Sequence, residues 1–285
     1  MPDLEVLSIE RHDHVATVWL DRPEARNAMG PAFWDDLTSA MSDMATDVDV
    51  RAVVVAARGP HFSVGLDLKA MAGLLMGGDG RESGSERARG DGPPSMAVRA
   101  VAARAGVKRL QRSISAVADC PKPVVAAIHG YCIGGGVDLA SACDIRLASA
   151  DAVFSVRETK VAIVADLGSL QRLPQIIGKG HVAELAYTGK DITAARAKEI
   201  GLVNDVFADA DAVVEAARAM AADIAANSPL AVEGTKAVLT AGEGRSVAEG
   251  LEYVAAWNAG FLQSDDLVEA MAAFMAKRPP EFRGR

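Results

Sequence analysis

Short hydrophobic runs separated by polar turns dominate the first half of the chain and predict buried strands. The runs are continuous and rich in Val, Ile and Leu, which is typical of strands covered on both faces. A helical pattern begins at Pro31, a residue suited to a first helical turn, and extends to about Met44. The predicted strands are residues 5–11, 15–21, 51–57, 123–130, 144–149 and 152–156. Strands that alternate with helices predict an α/β fold with some parallel pairing.

From about Asp209 onward, the pattern changes to amphipathic segments rich in Ala, with no strands between them. Each segment carries helix start or stop signals, such as the Ser-Pro entry at Ser228 and the glycine at Gly242. The predicted helices are residues 209–228, 228–242, 246–263 and 265–280. The sequence therefore predicts a core at 1–208 and a C-terminal helical subdomain at 209–285.

Residues 77–95 differ from both regions because they are rich in Gly, Ser and charge and have almost no apolar content. Such a composition predicts a flexible insertion. The segment directly follows a glycine-centred motif, so it could act as a lid over a site. A tolerated surface insertion explains the same composition, and the sequence leaves both interpretations open.

The composition narrows the classes of function. The chain has 285 residues, half of them hydrophobic, and a formal net charge of −8. An acidic protein is a poor candidate for non-specific nucleic-acid binding, and no apolar run reaches the roughly 20 residues of a membrane span. The three cysteines, Cys120, Cys132 and Cys143, are odd in number and form no CxxC. They indicate neither a disulfide framework nor a thiolate metal site, and they predict a reducing, cytoplasmic location.

Two glycine-centred turns follow predicted buried strands, at residues 61–70 and 129–144. In each, a strand ends, a glycine appears and a helical pattern begins. Such turns expose backbone N–H groups at a helix N-terminus, where they attract an anion or a developing oxyanion. Two turns at one edge of a sheet could offer two donors to one oxygen, as stabilisation of an enolate requires.

Acidic residues near these turns are the strongest candidates for chemistry. Asp138 follows the triple glycine, and Glu158 and Asp166 flank the apolar run 161–165. A buried carboxylate without a partner is costly, so acids beside such a run usually have a partner or a function. Each acid alone could be a helix cap or a surface residue, and Asp67 is better explained as structural. Spacing does not show whether the three acids converge.

Other catalytic motifs are absent from the sequence. A dinucleotide-binding GxGxxG would need a glycine at position 132, where Cys132 stands, and neither GxSxG nor HExxH occurs.

The chain resembles the crotonase, or enoyl-CoA hydratase/isomerase, superfamily along nearly its whole length. The resemblance includes "LDRPEARNAM", "HFSVGLDL", "CPKPVVAAIHGYCIGGGVDLASACDIRLAS", "LQRLPQIIGKGHVAELAYTG" and "AKEIGLVNDVF". It implies an α/β spiral of ββα units, followed by a C-terminal helical region that forms trimers or dimers of trimers. The implied substrate is an acyl-CoA thioester, with no further cofactor and no metal, nucleic-acid or membrane partner.

The resemblance also implies site residues. The backbone N–H groups of Leu66 and Gly135 would form the oxyanion hole, and Arg26 would lie near the CoA phosphates. The residues implied to bind substrate are Arg26, Ser63, Val64, Gly65, Asp67 and Gly134.

The combination of Asp138, Glu158 and Asp166 resembles that of one branch of the superfamily, the Δ3,5-Δ2,4-dienoyl-CoA isomerases. Hydratases of the superfamily use two glutamates, at the positions of Asp138 and Glu158, and a glycine-rich, uncharged stretch stands where this chain has Asp166. The implied reaction removes a proton from C2 of a 3,5-dienoyl thioester and adds one at C6. Glu158 would be the base, Asp166 the acid and Asp138 a supporting group.

Two alternatives remain open from the sequence. The chain could be an enoyl-CoA hydratase, or a catalytically idle crotonase-fold protein that binds RNA or a protein partner. The acidic net charge argues against RNA, and the retained acids argue against idleness. The C-terminal "EFRGR" lacks a Ser-Lys-Leu peroxisomal address, so the sequence does not predict a peroxisomal location.

Overall fold

The computed structural model describes residues 4–75 and 95–285. The predicted flexible insertion lies outside these residues except at Ser95, whose side chain accepts from the Val98 N–H and caps helix α3. The strands are β1 (Leu7–His12), β2 (Val15–Leu20), β3 (Ala52–Ala57), β4 (Val124–Ile128), β5 (Tyr131–Ile133), β6 (Ile145–Ser149), β7 (Val153–Ser155), β8 (Ile192–Thr193) and β9 (Asp205–Phe207).

Helices connect these strands and follow the last of them. The α-helices are α1 (Pro31–Thr46), α2 (Ala72–Leu75), α3 (Met96–Ala118), α4 (Gly135–Ala142), α5 (Ser169–Ile176), α6 (Lys179–Thr188), α7 (Ala194–Glu199), α8 (Ala210–Ala225), α9 (Pro229–Gly242), α10 (Val247–Phe261) and α11 (Asp265–Ala276). Two short 3-10 helices lie at Pro23–Ala25 and Glu158–Val161.

The main sheet has six strands in the order β1-β2-β3-β4-β6-β9, and a smaller sheet has the order β5-β7-β8. The β1–β2 hairpin is antiparallel and turns through Asp13 and His14, both with positive φ, while the other pairs of the main sheet are parallel. All six predicted strands form, and the predicted α/β class with parallel pairing is confirmed.

Helix α8 covers one face of the main sheet. Its buried residues recur at every fourth position, at Val213, Ala217, Ala221 and Ala225. This spacing forms one stripe along a helix, and small alanines allow the helix to lie close to the strands. The stripe packs against the alternate side chains of the strands, including Val54 of β3, in one buried cluster.

The opposite face of the sheet packs against a larger cluster, which includes buried residues of α1, α3 and α4 such as Trp34, Ile114 and Leu139. Val53 and Val55 of β3 face this side, because side chains alternate along a strand. Burial of both faces accounts for the continuous hydrophobic runs of the central strands.

Helices α9, α10 and α11 leave many apolar side chains exposed. The exposed residues on these helices include Leu239, Leu251, Val268, Met271, Phe274 and Met275. The division into a core at 1–208 and a helical subdomain at 209–285 stays a prediction, and α8 lies against the sheet. Within the described ranges, no helix is both long and apolar enough to cross a membrane.

Replacement of Ala217 by Leu should destabilise the protein, because the alanine is fully buried between α8 and the sheet. Overpacking of this kind costs about 1–3 kcal/mol of the free energy of unfolding. Ala219→Leu, at an exposed position of the same helix, is the matched control. Chemical denaturation that gives equal midpoints for the two variants would contradict this packing.

Candidate active site

The two glycine turns predicted from the sequence run side by side. Ser63 and Cys132 form a parallel bridge between them. The Ser63 N–H donates to the Tyr131 carbonyl at 2.9 Å, and the Ile133 N–H donates to the Ser63 carbonyl at 3.0 Å. These bonds continue strand-like pairing between the two turns, so both turns lie at the same edge of the sheet.

Glycine is required where the turns approach each other. Gly65 has φ +83°, and a Cβ added there would lie only 2.6 Å from the Ile133 carbonyl oxygen. Gly134 has φ +54° and precedes the first residue of α4. A side chain at Gly65 would therefore meet backbone that cannot move aside, and both positive φ angles favour glycine.

This close approach brings two backbone donors together. A Cβ added at Gly135 would lie 3.8 Å from the Leu66 nitrogen, and one at Gly65 would lie 3.2 Å from the Gly135 nitrogen. Neither Leu66 nor Gly135 donates its N–H to an acceptor within the described part of the chain. Two unoccupied N–H groups at one place can stabilise a negatively charged oxygen, and Gly135 adds the N-terminus of α4.

A cavity of about 610 Å³ opens beside these donors. It contains all three candidate acids, Asp138, Glu158 and Asp166, on a largely apolar wall. The other lining residues are Arg26, Trp34, Val64, Gly65, Leu66, Leu68, Ala103, Val107, Leu110, Tyr131, Ile133, Gly134, Gly135, Arg157, Val161, Ile163 and Leu167. Such an apolar cavity with a few polar groups is typical of a small-molecule site.

Asp138 is the most deeply buried of the acids, with 1% of its surface exposed. It lies in the first turn of α4, but its Oδ1 accepts from the Ser169 N–H at the start of α5, at 2.6 Å. Burial raises the pKa of Asp138 to about 6, and the Ser169 hydrogen bond opposes that rise. The carboxyl therefore joins two helices as well as lining the cavity.

Glu158 begins the short 3-10 helix and lies across from Gly134. A Cβ added at Gly134 would stand 3.3 Å from Glu158 Oε1. The other oxygen, Oε2, is buried and accepts no hydrogen bond from the residues that the structure describes. Burial, followed by the negative charges of Asp138 and Asp166, raises the pKa of Glu158 to about 7. A carboxyl with this pKa can exchange a proton near neutral pH.

Asp166 is half-buried in the segment that joins the 3-10 helix to α5, and burial raises the pKa of its carboxyl. Only part of the apolar run 161–165 lines the cavity. Val161 and Ile163 line the cavity, whereas Val164 is 73% exposed. The three acids that spacing alone could not bring together thus share one cavity.

Two residues implied to bind substrate do not line the cavity. The Ser63 hydroxyl is fully buried, donates to the Asn27 carbonyl and accepts from the Gly65 N–H. The Asp67 carboxylate pairs with Arg22 and accepts from the Ala70 N–H. Both side chains therefore bond to residues in and around the first glycine turn, and neither lines the cavity.

Sequence reasoning missed several residues of the cavity wall. Ala103, Val107 and Leu110 on α3 line it at spacings of four and three, which is the signal of one helical face. Trp34 of α1 is almost fully buried and also lines the cavity. Arg157 lies directly before Glu158 and places a cation at the wall, where its guanidinium also pairs with Asp191.

Comparison with known proteins identifies the family. The family model for enoyl-CoA hydratase/isomerase matches residues 10–86 and 96–285. The chain belongs to this family, as the sequence motifs predicted.

Two relatives carry more specific names. The chain is 44% identical to the mitochondrial Delta(3,5)-Delta(2,4)-dienoyl-CoA isomerase of Mus musculus, over 96% of this chain and 80% of the relative. It is 41% identical to the peroxisomal Delta(3,5)-Delta(2,4)-dienoyl-CoA isomerase of Arabidopsis thaliana, over 98% of this chain and 96% of the relative. The similarity supports the predicted branch of the superfamily.

Solved structures agree on the fold. An enoyl-CoA hydratase from Bacillus anthracis superimposes with a TM-score of 0.85 at 31% identity, covering 99% of this chain and 100% of that one. An enoyl-CoA hydratase from Mycobacterium tuberculosis H37Rv gives a TM-score of 0.81 at 31% identity, covering 98% and 99%. The predicted crotonase-like fold is therefore confirmed.

The prediction of a cytoplasmic location is wrong by the same comparison. The names of the dienoyl-CoA isomerase relatives place them in mitochondria or in peroxisomes. The prediction depended on free cysteines, which are all buried here. Free cysteines report the redox state of a compartment and do not identify the compartment.

The coupling between the acids predicts a change in the pKa of Glu158. Asp138→Asn removes a negative charge that raises this pKa, while the amide oxygen can still accept from the Ser169 N–H. The pKa of Glu158, about 7 in the unaltered protein, should therefore fall. A pH titration of ¹³C-labelled glutamate carboxyls by NMR measures it, and an unchanged or higher value would contradict the coupling.

Proposed function

We propose that this chain is an isomerase that converts 3,5-dienoyl-CoA into 2,4-dienoyl-CoA. The observation that carries the proposal is the third carboxyl, Asp166, in the same cavity as Asp138 and Glu158 and beside two unoccupied backbone donors. A conjugated shift needs proton transfer at both ends of the diene. Two separate carboxyls of the cavity, those of Glu158 and Asp166, can carry out these two transfers. The family name indicates that the substrate is a CoA thioester.

In the proposed mechanism, the Glu158 carboxylate removes a proton from C2. The electrons of the C–H bond form the C2=C3 bond, and the C3=C4 bond shifts to C4=C5. The electrons of the C5=C6 bond then form a new C6–H bond with a proton from the Asp166 carboxyl. Between the two transfers, negative charge spreads onto the thioester oxygen. The N–H groups of Leu66 and Gly135 would hold that charge, since an oxygen placed there finds donors not yet in use.

The two acids must hold different protonation states. Glu158 has to be ionised and Asp166 protonated when the substrate is bound. Burial raises the pKa of both carboxyls, and the Asp166 charge further raises the pKa of Glu158. Carboxyls that repel each other tend to share one proton, and the mechanism requires that this proton lie on Asp166 when the substrate is bound.

Asp138 would support this division without transferring a proton to carbon. It faces Glu158 from α4, and its own charge is stabilised by the Ser169 N–H. Arg26 at the cavity wall is exposed and would meet the CoA phosphates, with Val64, Gly65 and Gly134 along the thioester path. No cofactor beyond the substrate's own CoA is needed for this chemistry.

Hydration of a 2-enoyl thioester is the second candidate. Asp138 and Glu158 could hold one water between them, as two carboxyls of a hydratase do. Asp166 has no evident task in that reaction, although it stands in the same cavity. A non-catalytic binding protein would explain neither the buried acids nor their raised pKa values.

The roles of the acids predict separable defects. Glu158→Gln should abolish both isomerisation and exchange of the C2 proton with solvent deuterium, because no base remains. Asp166→Asn should stop isomerisation but leave C2 exchange partly intact, because the dienolate still forms. Each loss should be about 10²–10⁴-fold, typical of general acid–base groups.

Ultraviolet absorbance of the conjugated product and proton NMR in deuterium oxide measure the two processes. Glu215→Gln, at an exposed position of α8, is the control. Parallel assays with 2-enoyl-CoA test hydration. Normal isomerisation by Asp166→Asn, or rapid hydration without isomerisation, would refute the proposed function.

We further propose that the chain assembles as a trimer or a dimer of trimers through its C-terminal helices. Contiguous exposed apolar residues mark interaction surfaces, and Phe274 and Met275 of α11 are 85% and 82% exposed.

Light scattering should give three or six times the mass of one chain. Phe274→Asp should lower that mass, whereas Val48→Asp, at an exposed apolar position before β3, should not. A monomeric mass for the unaltered protein would contradict assembly.

A further inference from the structure

The Asp166 carboxyl depends on its backbone for its position. The segment that carries it lies between the 3-10 helix and α5 and is not part of a helix or a strand. Its two ends have left-handed backbone angles, at Ala162 with φ +59° and at Gly168 with φ +128°. No side chain in the described ranges donates a hydrogen bond to the Asp166 carboxylate. Whatever fixes the peptide at Asp166 therefore fixes its carboxyl.

Gln111 of α3 makes that contact. Its Nε2 donates to the Asp166 backbone carbonyl at 2.6 Å, across a sequence separation of 55 residues. The glutamine is half-buried, so the bond is partly shielded from competing water. The same helix lines the cavity through Val107 and Leu110, on the turn that precedes Gln111. One rigid helix thus bounds the cavity and holds the segment that carries the acid.

A second contact ties the next residue to the same helix. Arg172 of α5 donates to the Leu167 carbonyl and to the Ser115 hydroxyl of α3, each at 3.3 Å. A Cβ at Gly168 would overlap the Arg172 guanidinium, so glycine at this position leaves space for the arginine. Two consecutive carbonyls, those of Asp166 and Leu167, are therefore anchored to α3, the first directly and the second through Arg172.

We infer that Gln111 is a positioning residue that holds the Asp166 carboxyl beside C6 of the bound substrate. The inference rests on the proposed role of Asp166 as the acid at C6. Gln111 does not line the cavity and acts only through the Asp166 peptide. Without its donor, the carbonyl would turn toward another partner and the carboxyl would move with it.

The effect should be confined to one of the two proton transfers. Misplacement of a reacting group by about 1 Å can cost about 10²-fold in rate. Gln111→Leu keeps the size of the side chain and removes the donor, so isomerisation should fall about 10- to 100-fold. Exchange of the C2 proton should stay near the rate of the unaltered protein, because Glu158 and the two backbone donors are held by other contacts.

The experiment measures isomerisation of 3,5-dienoyl-CoA and C2 proton exchange for Gln111→Leu, Asp166→Asn and the double variant. Gln175→Leu is the matched control, since it makes the same substitution at an exposed position of α5. Thermal denaturation of each variant checks that it is folded. In the Asp166→Asn background, Gln111→Leu should cause no further loss, because the group that it positions is already absent.

The outcomes separate this inference from the function on which it rests. If Asp166→Asn isomerises at the normal rate, the proposed function fails. If Asp166→Asn is defective but Gln111→Leu isomerises normally, Gln111 is not a positioning residue. If Gln111→Leu lowers exchange and isomerisation equally, or lowers activity further in the double variant, its role is structural and the inference is overturned.

Discussion

The close approach of two backbone turns is the constraint on which the rest of the site depends. A Cβ at Gly65 would lie 2.6 Å from the Ile133 carbonyl oxygen of the other turn, and a Cβ at Gly135 would lie 2.8 Å from the Met29 sulfur, so glycine at both positions lets the turns approach. The bridge between Ser63 and Cys132 holds this arrangement to the sheet. It leaves the N–H groups of Leu66 and Gly135 without acceptors in the described residues, next to the cavity. Two such donors beside one cavity can stabilise a negatively charged oxygen.

The three carboxyls of the cavity lower the stability of the folded state. Their folded-state pKa values are raised, so ionisation of these groups weakens the folded state as the pH rises through them. Acids kept in such surroundings are typical of catalytic sites, where stability and activity conflict. The protein limits this cost at Asp138 with the Ser169 N–H. Glu158 Oε2 receives no such bond from the described residues, and an unsatisfied carboxylate oxygen is suited to accept a proton.

Helix α3 links the scaffold to this chemistry. It packs against α1 in the main core, lines the cavity on one face and contacts the Asp166 segment through Gln111. Helix α8 packs against the other face of the sheet through its small buried residues. Asp138 is carried by α4 itself, whereas Glu158 and Asp166 lie on the connection between β7 and α5. The helices that pack on the sheet fix where this connection lies.

The sequence by itself determined six strands, the glycine turns and the family, because these depend on residues close together in the chain. The short strands β5, β8 and β9 of the described residues were not predicted, because two or three residues form no pattern of their own. Val-rich runs predict β3 and β4 without any tertiary information, and the triple glycine before Asp138 marks the second turn. Only the tertiary structure decided that Asp138, Glu158 and Asp166 share one cavity, and that Ser63 and Asp67 do not line it. The contact between Gln111 and Asp166 joins residues 55 positions apart. No local pattern encodes it, since a half-buried glutamine on a helix finds its partner only when distant elements pack together.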